Sequence, residues 1–285
     1  MLGTIVEIAA SAPVAAVEAA FGAVLEVHHL MSFHESGSDV ARINEARAGH
    51  EIVVDPHTHR VLRFARRVSA ASGGVFDVTV GDILVRHGFL PASAAGRTLS
   101  HRATWRDLEV LAGNRVRWRR AGRIDLGGVA KGYAVDIAVG VLRSQGVRTG
   151  LVNAGGDLRM FGEPRPVHVR LPESPGCFAL LGSFADCALA TSAAYFSSKC
   201  NSTGGDLEPL VDPKRGTCAA RRDSATVVAS ECMTADALTK VVRLAPEVAP
   251  KVLEAFHAKA MVIDGRQHRV IGTARYDSIS PGDTN

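Results

Sequence analysis

Residues 124–136, IDLGGVAKGYAVD, constrain this chain more than any other stretch. A short apolar run, Ile124-Asp125-Leu126, passes through Gly127-Gly128 and then places Ala130, Ala134, Ala138 and Leu142 four apart, on one helical face. A glycine pair before a helix lets backbone N–H groups approach a ligand closely. The helix N-terminus adds partial positive charge, and Lys131 adds a full one. Together these suit a phosphate or pyrophosphate, while a tight turn beside a surface lysine is the plainer structural reading. The spacing is neither that of Walker A nor G-x-G-x-x-G.

The 285 residues, 46% of them hydrophobic, suffice for a large core, and residues 1–285 are expected to form one domain of two lobes. The 33 Lys and Arg against 29 Asp and Glu give a net charge of +4, but the basic residues are scattered. No dense basic stripe is present, which argues against a nucleic-acid partner. No apolar run reaches the ~18 residues of a membrane span, so none is expected. The start, MLGTIVEIAA, lacks a basic n-region and a cleavable apolar h-region. As written the chain is therefore expected in the cytoplasm, or in the periplasm if a leader has been lost upstream. The five cysteines show no C-x-x-C spacing and read as small buried side chains. His28-His29, His57 and His59 show no metal-ligand spacing.

Residues 4–10 read as a strand and 14–30 as a helix with Val17, Phe21, Val24 and Leu25 on one face. A second helix is capped by Asp55, opened by Pro56 and ended by Gly73-Gly74. VFDVTVGDILVRHGF reads as a strand, a turn at Gly81 and a short helical piece. Asp77 and Thr79 would then share one strand face, with Phe76 and Val78 on the other. LEVLA and VRWRR make a hairpin. After the helix of 129–145, strands dominate: GLVNAGGDLRM, PVHVRL, CFALLGSF and ADCALATS. Residues 197–223 read as a long loop around one short strand at Leu210 and Val211. A strand ATVVAS, helices at 232–242 and 248–258, and strands AKAMVID and HRVIGT follow. The class is α+β with a mixed sheet rather than a regular βαβ array.

Several stretches share small, polar, turn-forming residues at element ends: MSFHESGSDVARIN with Ser38 and Asp39, GGVFDVTVG, and VNAGGDLRMFG with Asn153, Gly155, Gly156 and Asp157. With the start at Gly3-Thr4, IDLGGVAKGYAVD, LATSAAY, VDPKRG and MTADAL, taken in order to about residue 240, they resemble the ApbE-type FAD:protein FMN transferases. That resemblance implies a two-lobed mixed α/β fold with a flavin cleft between the lobes. It also implies a magnesium-dependent reaction in which FAD is cleaved at its pyrophosphate. FMN is joined to a Ser or Thr hydroxyl of an acceptor flavoprotein, and AMP leaves.

The same resemblance assigns residues. Gly127 and Lys131 would receive the FAD pyrophosphate, and Asp125 would hold the nucleotide end. Thr4, Phe76, Asp77 and Val78 are further cofactor-binding candidates, as are Asn153 and Ser192. A Mg²⁺ ion would take the Gly128 carbonyl, Asp236 and Thr239.

The sequence departs from the family pattern at two places. Where the family reads Asp-Ala-Leu-Ser-Thr, TADALTK keeps Asp236 but has Thr239 one place early and Lys240 in the Thr position. One helical turn apart, Lys240 would neutralise Asp236 as a built-in cation, or form an exposed ion pair that leaves Thr239 to the metal. In DLEPLVDPKRG, Glu208-Pro209 stands where the family carries a His. Glu208 would then take over as base, and Glu208, Asp236 and Lys240 are the catalytic candidates. Two weaker activities remain open beside transfer: an FAD-binding protein with little turnover, and an FAD pyrophosphatase giving FMN and AMP.

Overall fold

The computed structural model describes residues 2–92, 102–174, 176–193, 199–200, 206–220, 223–265 and 267–272. They fall into two compact units, each drawn from separated pieces of chain: one from 1–25, 131–198 and 221–285, the other from 26–130 and 199–220.

The first unit is built on a seven-stranded sheet. In spatial order its strands are β1 (Val6–Ala10), β5 (Gly150–Ala154), β6 (Asp157–Phe161), β9 (Ala188–Ser192), β14 (Ser224–Ala229), β15 (Lys259–Asp264) and β16 (Gln267–Ile271). The hairpin of β5 and β6 turns at Gly155 and Gly156, whose φ values of 62° and 98° suit the right-handed twist of the flanking strands. A separate hairpin pairs β7 (Arg165–Arg170) with β8 (Phe178–Phe184). Leu189 and Val228, opposite one another across β9 and β14, join an apolar core with Met160, Phe184 and Met261. The alternate residues Ala188, Ala190, Ala225 and Val227 face the other way. Their small side chains let helix α6 (Cys232–Leu244) lie close on β9 and β14, and residues 232–239 of α6 are all buried.

Helix α5 (Ala130–Ser144) crosses the start of α6 at Gly132. A Cβ there would stand 2.3 Å from the Cys232 carbonyl oxygen and 2.8 Å from the Met233 nitrogen. One turn later Asp136 accepts hydrogen bonds from the backbone N–H groups of Cys232 and Met233, both at 2.8 Å. A carboxylate on α5 thus satisfies two of the orphan donors that open α6. Helix α7 (Ala249–Ala255) packs against α6 and β15, and ends three residues earlier than the sequence suggests.

In the second unit, α2 (Asp39–Glu45) is capped by Ser38, whose oxygen accepts from Ala41 N at 2.9 Å. α3 (Pro56–Ala71) is capped by Asp55 and followed by Gly73 and Gly74 at positive φ, as the sequence indicates. The strands β2 (Glu51–Val53), β4 (Arg115–Trp118) and β3 (Leu108–Leu111) form a sheet in that order. Trp118 is buried beneath it and donates to the Ile43 carbonyl at 2.9 Å. Ile83 and Leu84 of α4 (Gly81–Arg86) pack with Val211 and Cys218. Two short hairpins complete the unit: β10 (Lys199–Cys200) with β11 (Asp206–Leu207), and β12 (Val211–Asp212) with β13 (Thr217–Cys218).

The α+β class stands, with five corrections of detail. Each strand pairing among the described residues is antiparallel, where a mixture of directions was expected. VFDVTVG is not a strand: Asp77 Oδ1 accepts from both the N–H and the hydroxyl of Thr79, and Oδ2 from Trp105 N, so the segment closes into turns rather than a ladder. Phe76, Val78 and Thr79 are all buried instead of alternating. In α1 (Val14–Met31) the buried stripe is Ala16, Ala20, Val24, Val27 and Met31, while Leu25 lies exposed. With 18 residues and mean hydropathy 1.4, α1 is also long and apolar enough to cross a membrane by length and composition, where no such stretch was expected. The loop of 197–223 holds four short strands rather than one, with Leu210 just outside β12; its residues 197–198, 201–205 and 221–222 lie outside the described residues, as do Ala194 and Tyr195 of LATSAAY.

Gly132→Ala tests the helix crossing by its sign. In a free helix interior Ala is better than Gly by about 0.8–1.0 kcal/mol. Here the added methyl meets backbone that cannot swing away, so the variant is expected to lose about 1–3 kcal/mol in urea unfolding. A gain in stability would show that the two helices are not in contact at this point.

Candidate active site

Lys131 is the second residue of α5, and its ammonium reaches two carboxylates from other elements. Nζ lies 2.9 Å from Asp157 Oδ2 at the start of β6 and 3.7 Å from Asp236 Oδ2 on α6. Lys240, one turn beyond Asp236, donates to Asp236 Oδ1 and, at 2.9 Å, to the Asp236 carbonyl. The Gly132 N–H reaches Asp236 Oδ2 at 3.2 Å. Asp236 is fully buried and Asp157 nearly so, whereas the side chains of Lys131 and Lys240 remain 26% and 21% exposed. Two carboxylates at the bottom are therefore capped by two ammonium groups at the surface.

Burial pushes the Asp236 carboxyl up, but Lys131, Lys240 and the Gly132 N–H together outweigh it and hold it below the usual carboxylate range. Asp157 goes the other way: burial and the Asp236 charge raise it more than the lysines lower it. Burial alone would lower Lys131, yet the two carboxylates raise it well above an ordinary lysine. With all four groups ionised the cluster is neutral.

The residues that hold this cluster were not singled out in the sequence. Asp157 was noted only as a turn residue, and Gly132 and Asp136 not at all. Asp136 is raised to about 6 by burial, against the pull of Arg159 and the two α6 N–H groups. Arg159 of β6 donates to it at 2.7 Å, so α5, α6 and the strand carrying Asp157 meet at one carboxylate. Ser192, at the end of β9, accepts from Arg243 Nη1 at 3.3 Å. Arg243 is buried on α6 and ion-paired at 3.2 Å with buried Asp223.

Thr4 and Asn153 sit at the β5–β6 turn. A Cβ at Gly155 would fall 2.3 Å from Thr4 Oγ1, so a glycine is needed there for space as well as for its φ. Asn153 Oδ1 accepts from Gly156 N at 2.9 Å and its amide donates to Glu7 at 3.0 Å. Its oxygen shapes the turn, and its amide ties β5 to the neighbouring residue of β1.

Within the second unit, Asp125 N donates to the Val78 carbonyl at 2.8 Å, which ties IDLGG to the VFDVTV turn. Asp125 Oδ2 accepts from Gly127 N at 3.1 Å. Neither Gly127 nor Gly128 is among the glycines with positive φ. At Gly127 a Cβ would lie 3.1 Å from the Asp125 carboxylate, a tight contact with a side-chain end. Phe76 and Val78 are buried, and burial raises Asp77 against the hydrogen bonds from Thr79 and Trp105. Glu208 is buried at 2% exposure, with its N–H on the Ala219 carbonyl at 3.0 Å; Pro209 beside it is exposed. VDPKRG is a hairpin turn in which Asp212 Oδ1 accepts from Lys214 N and Arg215 N.

The donor set on α6 does not suit a divalent cation. Among the described residues no group of three or more His, Cys, Asp or Glu side chains could hold a metal ion. Both Asp236 carboxylate oxygens face N–H donors, and the Thr239 hydroxyl donates to the Asp236 carbonyl at 2.7 Å. Mg²⁺ requires near-octahedral oxygen ligands at about 2.0–2.1 Å, and here ammonium groups occupy that space.

Comparison with known proteins bears on the family and the fold. The ApbE family profile matches residues 2–263. A protein of Vibrio cholerae named FAD:protein FMN transferase is 29% identical over 229 residues, covering 75% of this chain and 68% of the relative. One of the same name from Rhodobacter capsulatus is 32% identical over 162 residues, 52% of this chain but only 31% of the relative. The crystal structure of the ApbE protein of Thermotoga maritima superposes with a TM-score of 0.77 at 27% identity, covering 92% of this chain and 91% of that one. With a profile match across nearly the whole described chain and a shared fold, the chain belongs to the ApbE family.

Proposed function

We propose that the chain moves FMN from FAD to a Ser or Thr hydroxyl of an acceptor flavoprotein. The observation that carries this reading is the paired cluster Lys131–Asp157–Asp236–Lys240 at the start of α5, in a chain whose relatives are named FAD:protein FMN transferase. The acceptor hydroxyl oxygen attacks the flavin-side phosphorus of FAD. The bond from that phosphorus to the oxygen of the AMP phosphate breaks, AMP departs with that oxygen, and a phosphoester to the acceptor forms. The hydroxyl proton needs an acceptor, and Glu208 is the candidate base. Lys131 and Lys240 offset charge gathering on the leaving phosphate. In such a reaction positioning and charge neutralisation supply most of the rate. Asp125 holds the nucleotide end through its carboxylate, which Gly127 N orients.

The reading is tested by incubation with FAD and a flavoprotein acceptor. AMP released in step with covalent flavin fluorescence in a denaturing gel is the expected result. AMP with free FMN would make the chain a pyrophosphatase, and bound FAD without AMP would make it a flavin carrier.

Lys131→Ala is expected to weaken FAD binding by about 10–100-fold, the loss of a charge-assisted contact. Because Lys131 is the counter-ion of two buried carboxylates, the same change should also cost stability, by about 3–5 kcal/mol. The double variant Lys131→Met, Asp157→Asn removes the ion pair as a unit and separates the effects: FAD affinity stays low in calorimetry while the melting temperature recovers. Equal affinity in wild type and both variants would remove Lys131 from the FAD site.

Asp125→Asn keeps an oxygen able to accept from Gly127 N and removes the carboxylate charge. FAD affinity should fall by roughly ten-fold, equally with EDTA and with Mg²⁺. A loss seen only with Mg²⁺ would assign Asp125 to a cation instead.

A further inference from the structure

We infer that Lys240 provides, as a fixed ammonium on Asp236, the positive charge that a divalent cation would otherwise bring to the FAD phosphates, so that Asp236 binds no metal in this chain. The inference rests on the transferase reading above and deepens it.

Asp236 has three oxygens, and each already faces a donor. Oδ1 accepts from Lys240 Nζ. Oδ2 accepts from Gly132 N at 3.2 Å and lies 3.7 Å from Lys131 Nζ. The main-chain oxygen accepts from Lys240 Nζ at 2.9 Å and from Thr239 Oγ1 at 2.7 Å. A cation at Asp236 would need these oxygens as ligands, and would bring two positive charges beside an ammonium that holds two of the three.

The position of Lys240 is also anchored. It leaves a helix whose neighbouring residues Thr239 and Val241 are buried, and Nζ bonds the carbonyl one turn back as well as the carboxylate. Both bonds to Asp236 must break before a metal can replace it. Three ammonium N–H groups, two of them spent on Asp236, leave a third direction for a phosphate oxygen. An ammonium is a compact point charge well suited to phosphate. One fixed charge takes the place of a doubly charged ion, and the substrate is held without recruitment of a cofactor.

The probe is Mn²⁺, a hard octahedral ion whose free form is read directly by electron paramagnetic resonance, titrated into the full chain with and without FAD. The wild type is expected to leave free Mn²⁺ undiminished without FAD, and with FAD no lower than FAD alone leaves it. Lys240→Thr and Lys240→Met, which remove the ammonium with different residual volumes, are expected to bind one ion with affinity raised roughly ten-fold or more. One Mn²⁺ per wild-type chain, with an affinity within about two-fold of the variants, would overturn the inference. If neither variant folds, the wild-type titration decides alone: one ion bound overturns, none supports. FAD binding is followed separately by flavin fluorescence. Failure to bind FAD would sink the transferase reading while the FAD-free Mn²⁺ titration still decides the status of Asp236; FAD binding accompanied by Mn²⁺ uptake would sink only the inference about Lys240.

Discussion

A carboxylate with no exposed surface has to be neutralised or surrounded, and the first unit is arranged around the second solution. Asp236 keeps its charge because two helices deliver positive or N–H groups to it: Lys131 and Gly132 from α5, and Lys240 from its own helix. That requirement fixes the approach of α5 to α6. Gly132 must lack a side chain for the helices to touch, and Asp136 must cap α6 for its N-terminus to sit against α5. The alanines of β9 and β14 belong to the same scheme, since a larger residue on that face would lift α6 and carry Asp236 away from Lys131.

The charge distribution also separates what binds from what supports. Lys131 and Lys240 are partly exposed and can meet a ligand, whereas Asp157 and Arg243 are buried, Asp136 is nearly so, and all three act through other residues. Arg243 is a case in point: its charge is balanced by Asp223, and what it offers Ser192 is one directed N–H. Placing the ionic groups on strands and helices rather than on loops gives the cluster rigid supports, which suits chemistry that depends on position.

Much of this was legible in the sequence, and the parts that were not share a cause. The helix at IDLGGVAKGYAVD, the Asp55 cap, the Asn153–Asp157 turn and the i,i+4 contact between Asp236 and Lys240 are local, so the signal lies within a few residues. Gly132 and Asp136 were passed over because their partner, the Cys232–Met233 backbone, lies about a hundred residues away in the chain. The ion pair of Lys131 with Asp157 is likewise non-local, and nothing in VNAGGDLR announces that its Asp has a lysine for company. VFDVTVG misled for a different reason. Its alternation suits a strand, but Asp77 offers the backbone hydrogen bonds that a ladder would otherwise make. At α1 the apolar residues run so nearly around the helix that periodicity could not choose the face that alanines and valines finally bury.

The order of strands in the large sheet governs how the chain can assemble as it is made. β1 emerges well before its partner β5, which follows only after all of 26–130 has been synthesised. Until then β1 is an unpaired edge beside an apolar helix, exposed to other chains. The second unit faces a smaller delay, since most of it is contiguous and it lacks only the segment 199–220. Folding dominated by such distant pairings is slow, and the wait for β5 lengthens the time in which β1 can meet other strands.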